Sequence, residues 1–215
     1  MASNGIAMPL EATTPVNIDK YADTHPRVHE LIRTRWSPRA FSSRAVSDED
    51  LKIVLEAARW AASCYNEQPW RFFVGRKSDP EAHARFVDIL VPANQVWAKS
   101  APVLIIMAAK RTFSHNGSPN YYGLHDAGQA LAHLMLQANA LGLHAHAMAG
   151  FDRDKARQEI GIPDDYDLGA AVVLGYLGNP DQLPEQPRKA EVAKRQRKPL
   201  DEIAFGSHWN EPLAL

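Results

Sequence analysis

The chain has 215 residues, 45% apolar and 23% charged, with a formal net charge of −1. That length suits one domain with a sizeable core, or at most two small ones. The charge balance gives no overall field toward nucleic acid or a membrane, the longest apolar run (Ala101 to Ala109) is too short to span a bilayer, and a single cysteine, Cys64, excludes an intrachain disulfide.

Residues 1–26 are polar, lack periodicity and carry Pro9, Pro15 and Pro26, so they read as an N-terminal arm. No basic segment followed by an apolar one is present there, so no signal peptide is expected, and a reducing cytoplasm fits the lone cysteine. His29 to Thr34 has helical character. Ser47-Asp48-Glu49-Asp50 resembles a capping box, and Leu51, Val54, Leu55, Ala58, Ala61 and Ala62 follow at helical spacing. Arg71 to Gly75 predicts a short strand. Pro102 to Ala108 is continuously apolar, as expected of a central strand covered on both faces. Asp126 to Leu141 predicts a central helix, with Ala127, Leu131, Leu134, Ala138 and Leu141 on one face and Gly142 as its stop. Ala170 to Leu177 predicts another buried strand. From Pro184 to Pro199 prolines and charges dominate, before a short apolar patch at Leu200, Ile203, Ala204 and Phe205. Three or four strands alternating with helices give an α/β or α+β chain. Its C-terminal segment is too polar for a core, yet carries apolar anchors suited to a partner surface.

Four clusters could carry chemistry. Arg33, Arg35, Ser37 and Arg39 could offer bidentate contacts to phosphate, or form a solvated basic helix end. Ser63, Asn66 and Gln68, before Pro69-Trp70, put donors and acceptors on a loop between rigid elements; a plain turn with a core tryptophan fits equally. His144 and His146 alternate on a predicted strand ahead of Met148-Ala149-Gly150. With His125 or His133 they could suggest a metal, but zinc spacings are absent and ordinary strand residues fit better. Arg188, Lys189, Lys194, Arg195, Arg197 and Lys198, opposed only by Glu191, form a solvated tail, a nucleic-acid patch without interleaved aromatics, or a phosphate grip by Arg195 and Arg197. A Gly-x-Gly-x-x-Gly fingerprint, a Gly-Lys-Ser/Thr phosphate loop and a Gly-x-Ser-x-Gly elbow are all missing from the sequence.

Arg35-Trp36-Ser37-Pro38-Arg39-Ala40-Phe41 resembles the N-terminal Arg-x-Ser-x-Arg-x-Phe/Tyr element of the nitroreductase family. Ala62-Ser63-Cys64-Tyr65-Asn66-Glu67-Gln68-Pro69-Trp70 resembles its Pro-Ser-x-x-Asn-x-Gln-Pro-Trp element, the most specific of the matches. Ala149-Gly150-Phe151-Asp152 resembles a Glu-Gly-Phe-Asp strand end, and Arg195-Gln196-Arg197-Lys198-Pro199 a late Lys/Arg-x-Arg-x-Pro element. The order and separations agree from about residue 27 to residue 203. Ala62 departs from the usual proline, and Ala149 stands where some members carry glutamate.

The resemblance implies an α+β FMN-binding fold with a mixed, mainly antiparallel central sheet flanked by helices, in an intertwined homodimer. It divides the chain into an arm (1–26), an FMN-binding domain (27–180) and a C-terminal extension (181–215) that completes the site and wraps the partner. Arg35, Arg195 and Arg197 would hold the FMN phosphate, Trp36 and Ser37 would line the flavin, and Arg39 would sit near N1 and O2. Ala62, Ser63, Cys64 and Asn66 would approach the ring from the other chain. Met148, Ala149 and Gly150 would pass along its face, and Asn94 is a further candidate for its edge. The implied reaction moves a hydride from NAD(P)H through FMN to a small electron-poor acceptor such as a nitroaromatic or quinone, with no catalytic side-chain nucleophile. Rival readings are another flavin chemistry on the same fold (enal reduction, dehalogenation or flavin fragmentation), or a non-catalytic nucleotide-binding module with a basic tail. No nucleic acid, membrane or metal partner is expected, and Thr112 to Leu124 could form a lid.

Overall fold

The computed structural model describes residues 20–214. Most of the arm, residues 1–19, lies outside them. Helix α1 (Glu30–Thr34) is followed by α2 (Asp48–Arg59), where Ser47 caps the helix by accepting the Asp50 N–H, as the sequence pattern predicts. The apolar stripe of α2 buries Leu51, Val54 and Ala58. The helix stops at Arg59, so Ala61 and Ala62 belong to the loop that enters strand β1 (Trp70–Arg76).

Two short helices come next. In α3 (Pro80–Ile89), Asp79 caps the first turn, and in α4 (Pro92–Ala98) a proline opens the helix, a position that needs no amide donor. Strand β2 (Val103–Lys110) precedes α5 (Gly123–Ala140), the longest helix; Gly142 beyond its end takes φ +72°. Strand β3 (His144–Met148), α6 (Arg153–Ile160), strand β4 (Tyr166–Gly175) and α7 (Glu185–Val192) complete the order. Sequence periodicity misses α3, α4 and α6. They are short, and their apolar residues become a buried face only against the sheet.

The four strands form one sheet in the order β1-β2-β4-β3, and every pairing is antiparallel. No parallel pair occurs among the described residues, so the sheet is simpler than the mixed one the resemblance implies. Strand β2 is central and buried on both faces. Leu104, Ile106 and Ala108 point to one core, and Val103, Ile105, Met107 and Ala109 to the other. The first core is closed by α3, α4 and α6 through Phe86, Ile89, Trp97 and Ala156. The second is closed by α2 and α5 through Val54, Ala127, Ala130 and Leu134. Each fully buried Leu, Ile or Val contributes about 1.5–3 kcal/mol relative to exposure.

The sheet order matters for function. The loop before β1 and the end of β3 lie on opposite sheet edges, three strand spacings apart, about 14 Å. Beyond α7 the chain runs through a short 3-10 turn (Leu200–Glu202) and a turn closed by a Phe205–Pro212 bridge, with Leu200, Ile203, Trp209 and Leu213 exposed.

Candidate functional site

The residues singled out in the sequence fall into three groups in space. The first is built on the loop from Arg35 to Ser42, which the last third of the chain zips down. Ser42 N–H donates to Tyr176 O, Gly178 N–H to Ala40 O, and the Gln182 amide to Phe41 O at 2.8 Å. Phe41 is buried beneath. This fixes Arg35, Ser37 and Arg39 on a rigid base.

Arg195 is brought to the same place. Its Nη1 donates to the carbonyls of Lys20 and Arg33 at 2.8 and 2.7 Å. Burial lowers the Arg35 pKa, and the charges of Arg195 and Arg197 lower it further. Burial and Arg197 act on Arg195 in the same direction. Guanidinium groups that discourage one another's charge form a site that gains from receiving an anion. Arg197 itself is exposed, with Nη1 on the neighbouring Gln196 carbonyl.

Sequence reasoning missed two members of this group. Lys20, assigned to the arm, is buried; it donates to Ala193 O and lies 4.9 Å over the Trp36 ring. Glu191, taken as a lone counter-charge in a solvated basic tail, is 1% exposed and accepts the backbone N–H groups of Arg39 and Ala40. The tail reading is corrected there, because α7 turns this carboxylate inward. His144 and His146, expected as ordinary residues of a strand, pack against the same loop. Trp36 meets His144 edge-on, His146 Nδ1 lies 2.8 Å from the Pro38 carbonyl, and Trp97 covers the His146 ring. His144 Nδ1 is buried with no hydrogen-bond partner among the described residues.

Burial holds the pKa of both histidines down to about 4, with Arg35 lowering each further and Arg39 acting on His146. An unfolded histidine titrates near 6.5. Above that pH both states are neutral and stability is complete. Below it the unfolded chain takes up protons that the folded chain refuses, so stability falls from about pH 6.5 toward pH 4. The expected slope approaches about 1.4 kcal/mol per pH unit per histidine. Urea midpoints at pH 7 and 5 check this, and His146→Asn should flatten the difference; equal midpoints in the wild-type chain would refute it.

The second group stands at the end of β3. Met148 is buried and Ala149 exposed. The chain from Gly150 to Asp152 is zipped to the α3–α4 junction: Val91 N–H donates to Gly150 O, Asp152 N–H to Ile89 O, and Asn94 Nδ2 to Gly150 O at 2.9 Å. A Cβ on Gly150 would lie 2.6 Å from Asn94 Nδ2 and 3.0 Å from Val91 Cγ2. Gly150→Ala is therefore expected to cost about 1–3 kcal/mol by overpacking and to push the Asn94 amide off its carbonyl. Chemical denaturation measures the cost; an unchanged midpoint contradicts it.

The third group is the loop of Ala62, Ser63, Cys64 and Asn66 at the other sheet edge. Ser63 Oγ accepts the Gln68 N–H at 3.0 Å, and buried Asp126 accepts the Cys64 N–H at 2.9 Å. Tyr65, Asn66 and Gln68 take φ of 51°, 55° and 51°. Three left-handed non-glycine residues in four positions cost of order 1–3 kcal/mol each, and strain of that kind gathers at functional sites. In sequence Asp126 marks only the start of a helix; its partner is 62 residues away, and no local pattern reveals it. The segment considered as a lid is a turn closed by a Thr112–Pro119 bridge and pinned where Ser114 donates to Glu67.

Comparison with known proteins agrees with this architecture. A profile described as the nitroreductase family matches residues 32–176. A crystal structure described as an oxidoreductase containing FMN is 37% identical, superposes with a TM-score of 0.83, and is covered over 100% of its chain and 93% of this one. A 15.4 kDa uncharacterized protein of Mycolicibacterium smegmatis is 32% identical over 150 residues, which is 66% of this chain and 99% of that one. The major NAD(P)H-flavin oxidoreductase of Aliivibrio fischeri is 34% identical over 95 residues, 43% of each chain. The chain belongs to the nitroreductase family, a family of oxidoreductases. Among the described residues no helix is long and apolar enough to cross a membrane.

Proposed function

We propose that this protein binds FMN in two sites shared between the subunits of a homodimer and uses NAD(P)H to reduce small electron-poor acceptors such as nitroaromatics or quinones. The observation that carries the reading is the convergence of Arg35, Arg195 and Arg197, an arrangement that calls for a phosphate. The residues also fit the rest of the group. Ala149, beside Gly150, is exposed, and His144 Nδ1 offers an unused polar atom. The ring-contacting loop of Ala62, Ser63, Cys64 and Asn66 sits on the sheet edge opposite Met148 and Gly150. A second copy supplies that loop most simply, and the exposed apolar residues after α7 suit the same interface.

In this reading Arg35, Arg195 and Arg197 hold the phosphate and Arg39 offsets the negative charge that reduction places on the ring, while Trp36, Ser37, Asn94 and Met148 line the site. Bound FMN would supply the hydride-transfer chemistry between NAD(P)H and the acceptor, the two substrates using the site in turn. The protein orients both, and a preorganised cation such as Arg39 can contribute on the order of 3–4 kcal/mol. The lone cysteine favours a cytoplasmic home.

The purified protein is expected to be yellow or to take up added FMN, to run as a dimer, and to lose its flavin absorbance on anaerobic addition of NADH or NADPH. Colourless protein that ignores FMN would sink the proposal. Flavin bleaching without turnover of nitroaromatics or quinones would favour another chemistry on the same fold.

A further inference from the structure

The loop that carries Arg39 is gripped from two distant elements. From β3, His146 meets the Pro38 carbonyl. From α7, the Glu191 carboxylate spans two successive amides, with Oε2 2.7 Å from Arg39 N and Oε1 3.0 Å from Ala40 N. Burying a carboxylate is costly. Burial pushes the Glu191 pKa up, and the two N–H groups with the charges of Arg39 and Lys20 act against that. A neutral amide or hydroxyl could cap one N–H. Only a carboxylate presents two acceptor oxygens, with no donor, to two amides at once. Arg35 lies earlier on the same loop, but the amides that the clamp holds are those of Arg39 and its neighbour Ala40, so the clamp bears most directly on the cation assigned to the reduced ring.

We propose that Glu191 is a positioning residue for Arg39: by clamping the Arg39 and Ala40 amides it sets how much more tightly the site holds reduced FMN than oxidised FMN. This rests on the flavin reading above. In Glu191→Gln the side chain keeps its shape, but its NH2 must face one of the two amides. One N–H loses its acceptor, the loop shifts, and Arg39 loses its fixed place. Reduced FMN, which carries the added negative charge, should lose more than oxidised FMN.

The test compares dissociation constants for oxidised FMN and for dithionite-reduced FMN under anaerobic conditions, using the full-length chain. The wild-type protein is expected to prefer reduced FMN over what Arg39→Met allows. In Glu191→Gln that preference should fall about tenfold, less than removing a preorganised donor outright would cause. In an Arg39→Met background Glu191→Gln should change the preference no further. Equal weakening of both forms, or a Glu191→Gln effect that persists without Arg39, overturns the proposal. Should Glu191→Gln fail to fold, Glu191→Asp, withdrawn by one methylene, carries the same test: a smaller fall in preference supports the proposal and an unchanged preference overturns it. Wild-type protein that binds neither form defeats the flavin reading itself, whereas wild-type binding with an unchanged preference in the variants defeats only the role of Glu191.

Discussion

Arg35→Met is expected to weaken FMN binding by about 2–3 kcal/mol, roughly 30- to 150-fold, without destabilising the ligand-free fold. Among the described residues the Arg35 guanidinium has one weak hydrogen bond, from Nη1 to Ser37 Oγ at 3.4 Å. Against that stand its burial and the like charges of Arg195 and Arg197. Such a cation does little for the empty protein and much for a bound phosphate. Methionine keeps the length and the apolar packing of the stem. Titration of FMN by fluorescence quenching gives the affinity, and thermal melts of the ligand-free protein give the stability. Wild-type affinity in the variant would remove Arg35 from the site; a lower melting temperature without FMN would show that the cation serves the fold instead.

Ending the chain after Val192 is expected to have the larger effect, with FMN no longer retained through purification and the protein running as a monomer. The cut removes Arg195, and with it the bonds to Lys20 O and Arg33 O. It also removes Arg197 and the apolar residues Leu200, Ile203, Trp209 and Leu213, of which Trp209 is 83% exposed. Large side chains this exposed bury little against their own domain, so they suit a partner surface. The core should survive, since neither core includes a residue beyond Leu183. Light scattering and the flavin absorbance of the purified protein measure both outcomes. A truncated chain that remains dimeric and yellow would reject the assignment of the extension to the site and the interface.

Much of the fold was legible because it is written in short-range patterns. The all-apolar stretch of β2 and the stripe of α5 each mark a buried face by themselves. Ser47 and Gly142 mark a helix start and a helix end through local backbone chemistry. The Arg35, Ser63 and Arg195 elements were legible in another way, as spaced motifs whose order matches a family.

What stayed hidden depends on residues far apart in sequence. Glu191 is an ordinary acid among basic residues until α7 brings it beneath Arg39, 152 positions away. Lys20 reads as part of a polar arm until Trp36 and Ala193 enclose it. Local patterns in the chain are enough to set the alternation of strands and helices, the central place of β2 and α5, and the side chains capable of gripping a phosphate. The strand order β1-β2-β4-β3, which puts the Ser63 loop and Gly150 on opposite edges, emerges only when the elements pack. The physical reason is that periodicity and capping act over one or two turns of chain, whereas strand order and buried charge pairing are settled by which distant surfaces can exclude water together.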